Sequence, residues 1–257
     1  MAKHEQLPYI EFLHSETASL QADQTGRSFH IHRKLLASKA KTIMSAFERG
    51  FDEGEKGVYK FQDTSEGTLA RFIEWSYTGD YPDVITATHP LDRKSGKEEI
   101  ATTNVEEGHT VTAAGTSFTS DNHPLLAHIR LYIFCSIYHI SELQKLAFEK
   151  VTARFSDLEA PDSLDTQLAV VAALRLSFRK LSTQDPLLDW MAQYAAYCVG
   201  KLRLQTGFHE LLQESPTLST RMVLFLNPAS SPPWKTPKSK HVYARYSPDQ
   251  SYEDGYE

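Results

Sequence analysis

The sequence has 257 residues, of which 40% are hydrophobic and 11% aromatic, enough apolar material for a sizeable core in one or two domains. Its formal net charge of −6 gives it no general reason to bind nucleic acid or anionic membranes. Two distant cysteines, Cys135 and Cys198, suit buried thiols in a reducing compartment and exclude a disulfide framework. We expect no signal peptide and no membrane span, and therefore an intracellular protein of the cytoplasm or nucleus.

The first predicted elements are two short strands. Polar and apolar residues alternate over 17–22 and again over 28–32, and the turn between them contains glycine, which is typical of a hairpin. Residues 33–48 change to helical spacing, and a third strand is predicted over 58–61. The predicted helical stretch has four apolar anchors: Leu36, Ile43, Met44 and Phe47.

The next predicted helix has a signal at both ends. Asp63 is predicted to cap its start, with Glu66 three residues later as in a capping box, and Gly79 is predicted to close it in the left-handed conformation. Residues 82–122 follow as a Thr-rich, acidic stretch with no sustained period. We expect a disordered insert there.

Helical spacing resumes at His123 and continues to residue 226. The helices after Pro161 are predicted over 163–181, 186–204, 208–214 and 217–226. Residues 227–257 are rich in Pro, Ser, Tyr and Lys, and we expect a disordered tail.

Three stretches, in order and with suitable spacing, resemble the BTB/POZ family. The first runs from Phe29 through His32 to Leu36, and the second, from Phe72 to Tyr81, contains a Glu-Trp-x-Tyr-Thr-Gly sequence similar to that of many fungal BTB proteins. The third is a helical pair from Ala127 to Ala147. The residues that carry the resemblance are Phe29, His32, Leu36, Trp75, Tyr77, Gly79, Tyr132, Tyr138 and Leu143.

The resemblance implies an α+β fold, in which a small β-sheet is flanked by a cluster of helices. We assign residues 8–156 to this BTB/POZ domain and 161–226 to an all-α extension. Members of the family form homodimers by burying apolar surface between their first helices and neighbouring strands. If Ile43, Met44 and Phe47 include exposed members, these residues are the expected dimer patch.

The function implied is a non-catalytic protein–protein interaction module that dimerises and recruits other proteins. Two alternatives stay open: a cullin-3 ubiquitin-ligase substrate adaptor, and a transcriptional co-regulator that does not itself read DNA. Family adaptors often carry an acidic residue on the third helix where this chain has Arg71, and such a charge reversal at a contact disfavours cullin-3.

The sequence offers weak signals for chemistry, each with a plainer interpretation. His30 and His32 lie two apart on one strand but have no further ligands at metal-binding spacing, so a hydrogen-bonded structural His32 is expected. Two Ser-x-x-Lys matches, at Ser38 and Ser177, lack the supporting motifs of acyl enzymes. We therefore predict no enzyme activity, cofactor, metal or small-molecule substrate.

Two features of the C-terminal half are further candidates for interaction surfaces. Residues 231–234, Ser-Pro-Pro-Trp, are a weak candidate for docking in the extended polyproline conformation, and the tail lysines near them are interpreted as solvated charges. The apolar face of the helices at 163–181 and 186–204 is interpreted as bundle core, not as a partner groove. It comprises Leu164, Leu168, Val171, Leu174, Leu188, Met191, Tyr194 and Cys198.

Overall fold

The computed structural model of the protein describes residues 9–22, 27–48, 55–85 and 123–226, with Pro232, Trp234 and Lys235. The remainder of the predicted insert, 86–122, and most of the predicted tail lie outside these residues. The described elements are α1 (Tyr9–Leu13), β1 (Thr17–Ala22), β2 (Ser28–His32), α2 (Arg33–Lys39), α3 (Lys41–Glu48), β3 (Val58–Phe61), α4 (Glu66–Thr78), α5 (Pro124–Tyr138), α6 (Ser141–Leu158), α7 (Leu164–Lys180), α8 (Pro186–Tyr197), α9 (Val199–Leu202), α10 (Thr206–Glu214) and α11 (Pro216–Phe225).

The three predicted strands form one small sheet, in the order β2-β1-β3. Strand β1 is antiparallel to β2 and parallel to β3, with Leu20 opposite both Phe29 and Tyr59. The alternation in β1 puts Ala18, Leu20 and Ala22 on the buried face. The mixed α+β architecture predicted from the sequence is therefore confirmed.

The predicted helix over 33–48 is two helices, because the chain bends at Ala40 (φ −143°, ψ 71°). The Ala40 N–H closes α2 by donating to Leu36, while the Ala40 carbonyl accepts from Ile43 and Met44 and so starts α3. The bend lets α2 and α3 pack against each other and against the same core. Neither Gly nor Pro marks this position, so local patterning does not predict the break.

The predicted cap of α4 is wrong by two residues. Ser65 is the N-cap, and its hydroxyl accepts from the Thr68 N–H at 3.3 Å. Asp63 instead has a positive φ of 58° in the turn after β3, and its carboxylate pairs with Lys180 at 3.2 Å. The predicted C-terminal closure is confirmed, since Gly79 has a φ of 83° and its N–H donates to Trp75.

Helix α5 is shared by two hydrophobic cores. Leu131, Phe134 and Cys135 pack in the core beneath the sheet, whereas Ile129 and Tyr132 pack among the C-terminal helices. A helix that is apolar around most of its circumference needs neighbours on more than one side. Among the described helices, α5 shows this most clearly.

This sharing moves the boundary between the two predicted domains. Ala147, Val151 and Phe155 of α6 belong to the core of the extension, so the interval between residues 156 and 161 does not separate two packing units. Leu164 and Leu168, predicted to be core, are 61% and 49% exposed because they lie on the outer side of α7. None of the described helices combines the length and apolarity needed to cross a membrane.

Candidate interaction surface

The first two stretches that carry the family resemblance meet at a hydrogen bond. The Nδ1 atom of His32 lies 2.7 Å from the hydroxyl of Tyr77, and the backbone N–H of His32 donates to the same hydroxyl at 3.2 Å. The Tyr77 hydroxyl thus accepts from the His32 backbone and forms a second hydrogen bond with the ring of the same residue. The Phe12 ring packs beside both side chains. His32 therefore joins β2 to α4.

The other residues of the resemblance lie in or against the two cores. Leu36, Leu143 and Trp75 are buried, and Tyr138 packs edge-on against Phe61. Tyr132 instead reaches the extension, where its hydroxyl donates to the Asp185 carboxylate at 2.8 Å. That carboxylate also caps α8. These side chains position helices and leave little surface for a partner.

The predicted dimer patch does not form an exposed surface. Ile43 is fully buried, Phe47 is 6% exposed, and Met44 is half-buried against the same core. The outward side of α3 carries Lys41 and Thr42. The three apolar residues point inward because their helical spacing serves the core of this chain, so they do not provide the predicted dimer patch.

The serines of the two Ser-x-x-Lys matches have ordinary structural partners. Ser38 donates to Leu35, and the fully buried Ser177 donates to Ala173 in its own helix, so neither serine is paired with its lysine. Among the residues that the structure describes, no three His, Cys, Asp or Glu side chains are grouped as metal ligands. Both cysteines are buried free thiols, as predicted, and burial raises the pKa of Cys198 to about 11.

A buried polar cluster, which we call the clasp, surrounds the first residues of the insert. Its centre is Arg71, a side chain on α4 that is only 1% exposed. The Arg71 guanidinium donates to the carbonyls of Gly67, Pro82 and Asp83 at 2.8–3.1 Å. The members of the clasp are Arg71, Tyr81, Asp83, His128, Lys150 and Arg154.

The electrostatics of the clasp keep His128 neutral. Its Nδ1 atom lies 3.1 Å from the Tyr81 hydroxyl, and its Nε2 atom is 3.4 Å from an Asp83 oxygen, which is long for a hydrogen bond. Asp83 is already compensated by ion pairs with Arg154 and Lys150. Burial therefore dominates over the attraction of Asp83 and lowers the pKa of His128 to about 4.

The clasp was not predicted from the sequence, although one signal was present. Arg71 shares a helical face with Thr68, Phe72 and Trp75, all of which are buried. Because the Arg71 side chain is enclosed by its own chain, it cannot present a reversed charge to a partner. Arg71 therefore does not disfavour cullin-3, contrary to the expectation from the sequence.

Because the clasp binds residues 81–83, the fold should depend on where the insert is cut. Replacing residues 86–122 with a short Gly-Ser linker leaves every described contact in place, and we expect a melting temperature within about 2 °C of the parent, equivalent to roughly 0.5–1 kcal/mol. Replacing 82–122 removes the carbonyls and carboxylate that Arg71, Lys150 and Arg154 bind. We expect that deletion to lower the melting temperature by about 6 °C or more, roughly 2–3 kcal/mol. Equal melting temperatures by differential scanning calorimetry would contradict the role of the clasp.

An open cleft of about 330 Å³ lies between the sheet and the C-terminal helices. Its walls are the turn from Gln62 to Thr68, the last turns of α5 and the end of α7. Ile137 of α5 is 57% exposed in this cleft, and the Asp63–Lys180 ion pair lies at its side. The cleft therefore combines exposed apolar surface with polar and charged side chains.

A scan against protein-family models finds no match, and a search of curated proteins finds no significant similarity.

Proposed function

We propose that this chain is a non-catalytic protein–protein interaction module of the BTB/POZ type, which dimerises and recruits other proteins. The proposal is supported by the resemblance together with the way its parts meet: His32 and Tyr77, from two separate stretches, are hydrogen-bonded between a strand and a helix. The observation that carries the dimer is the exposed apolar surface of α1.

Helix α1 is anchored by one apolar side chain and exposes two others. Phe12 is 6% exposed and packs against His32 and Tyr77, whereas Ile10 is 66% and Leu13 44% exposed. Burial of a large aliphatic side chain contributes about 1.5–3 kcal/mol. We therefore assign the proposed dimer contact to Ile10 and Leu13 of α1, in place of the inward-facing residues of α3.

We expect the double substitution Ile10→Asp and Leu13→Asp to convert a dimer into a monomer of 29.1 kDa. Two lost apolar contacts and two repelled charges should weaken association by about 100-fold or more. Light scattering during size-exclusion chromatography at about 50 µM is suitable, since a dimer with a micromolar Kd is populated there. The matched control is Ile137→Asp, which places the same charge on an exposed isoleucine outside α1. A wild-type protein that is strictly monomeric at this concentration would reject the proposal.

We assign partner recruitment to the cleft beside Ile137. Quantitative affinity purification should compare wild-type protein with Ile137→Asp, using Leu204→Asp as the control, because Leu204 is 71% exposed and is not part of the cleft. A specific partner should be depleted about 10-fold by Ile137→Asp alone, equivalent to 1.4 kcal/mol. The identity of that partner then separates a cullin-3 adaptor from a transcriptional co-regulator. Equal recovery with all three proteins would exclude the cleft.

A further inference from the structure

After the last helix, the chain folds back onto the extension. Pro232 is buried, and the Trp234 ring lies 6.2 Å from the ring of Tyr194 and 5.8 Å, edge-on, from that of Tyr197. The Lys235 N–H donates to the Pro232 carbonyl at 3.0 Å, so the segment forms a turn. The Pro-Pro-Trp sequence that was a weak candidate for docking on a partner thus docks on its own chain.

The rings under Trp234 belong to a row of aromatic side chains that also pack against one another. Trp190 and Tyr194 of α8 are stacked, with ring centroids 5.9 Å apart and planes 7° apart. Phe155 of α6 packs edge-on against both rings, and Tyr197 extends the row towards solvent. We call Trp190, Tyr194 and Tyr197 the aromatic site. Rigid aromatic side chains bind another aromatic ring with little loss of conformational entropy.

A polar atom in the aromatic site lacks a strong partner. The Tyr194 side chain is fully buried, and within the described part of the chain its hydroxyl has no nitrogen or oxygen hydrogen-bond partner. The neighbouring Cys198 thiol is a weak substitute. A buried hydroxyl in this state has unused capacity to donate a hydrogen bond.

The occupant is held by packing and by its tether. The hydrogen bond from Lys235 to Pro232 is internal to the segment, and Trp234 is only half-buried. Because only five residues separate Leu226 from Pro232, the segment acts at an effective concentration in the millimolar range. A site of modest intrinsic affinity is therefore filled by its own chain, yet the same packing can be made by a segment from elsewhere.

We propose that the aromatic site recognises a Pro-x-Trp segment of another protein, and that residues 232–234 occupy it as an intramolecular competitor. The proline limits the conformations of the free segment and the indole supplies the aromatic contact. This site lies apart from α1 and from the cleft. A test of binding at the aromatic site is therefore independent of the proposed dimer and of partner recruitment beside Ile137.

The test uses fluorine NMR of the full-length protein labelled with 5-fluorotryptophan, because the chain has only three tryptophans: Trp75, Trp190 and Trp234. In Trp234→Ala, the Trp190 resonance should move because Tyr194, which stacks on Trp190, loses its contact with Trp234. A peptide spanning residues 228–238 should return the resonance towards its wild-type position. The same peptide should bind the wild-type protein at least about 10-fold more weakly, because the tethered segment competes at millimolar effective concentration.

Three controls make the result decisive. A peptide with Ala in place of Trp234 should have no effect, Tyr197→Ala should weaken peptide binding, and the Trp75 resonance should stay unchanged as a reference for the fold. If Trp234→Ala disturbs Trp75, excess peptide added to wild-type protein should instead displace the docked Trp234 resonance. Failure of the peptide to bind in either format overturns the proposal, as does equal affinity for wild-type protein and Trp234→Ala.

Discussion

Replacing Arg71 with methionine is expected to lower the free energy of unfolding by about 3–5 kcal/mol. Methionine keeps much of the length and apolar volume of the side chain but donates no hydrogen bond. The carbonyls of Pro82 and Asp83 would lose the donor that binds them, and Asp83 would lose a nearby positive charge. Urea unfolding followed by circular dichroism measures the change.

The matched control for Arg71 is Arg203→Met, since the Arg203 side chain is exposed. That variant should lie within about 0.5 kcal/mol of wild type. Arg71→Lys should fall between the two, because a lysine retains the charge but cannot span three carbonyls with a planar fork. If Arg71→Met and Arg203→Met were equally stable, the clasp would contribute nothing to the fold.

Acidification is expected to weaken the fold through His128. Its folded pKa, about 4, lies below the ordinary value of 6.5, so the unfolded chain binds the proton more tightly than the folded one. The pH-dependent contribution of His128 to the free energy of unfolding is fully present above pH 6.5. It is lost as the pH falls from 6.5 towards 4. The side chain is fully buried, and the loss should reach about 3 kcal/mol at the lower end.

The measurement for His128 is the difference between two pH profiles. His128→Gln removes the titrating ring and retains a polar side chain, so its stability should change less between pH 7 and pH 4.5. Carboxylates shared by both proteins cancel in the comparison, including Asp80, whose pKa is lowered mainly by its hydrogen bond with Lys150. Parallel profiles for the two proteins would show that His128 does not titrate on unfolding.

The clasp contacts both the start of the insert and the helix that follows it. Asp83, where the insert begins, contacts His128 on the first turns of α5, where the insert ends. Both ends are thereby held on one side of the sheet–helix unit. A sequence change between residues 86 and 122 is then expected to leave the stability of the described elements unchanged.

The elements that were predicted well depend on local patterns. Alternation identified the strands, and helical spacing identified α5, α6, α7 and α8 to within a few residues. The helix predicted over 186–204 is the exception, since it ends at Tyr197 and is followed by the short helix α9. Gly79 was correctly predicted because few other residues adopt its conformation readily. Asp63 and Ala40 were missed for the opposite reason, since neighbours distant in sequence decide their conformation.

The sequence by itself determined which segments become strands and helices and which face of most helices turns inward, because both follow from periods of two and 3.6 residues. Only the tertiary structure decided that Ile43 and Phe47 are core, that Arg71 is enclosed, and that Trp234 returns to α8. An apolar or charged side chain has the same local signature whether it meets solvent, a partner or its own chain. Its surroundings are supplied by residues tens of positions away.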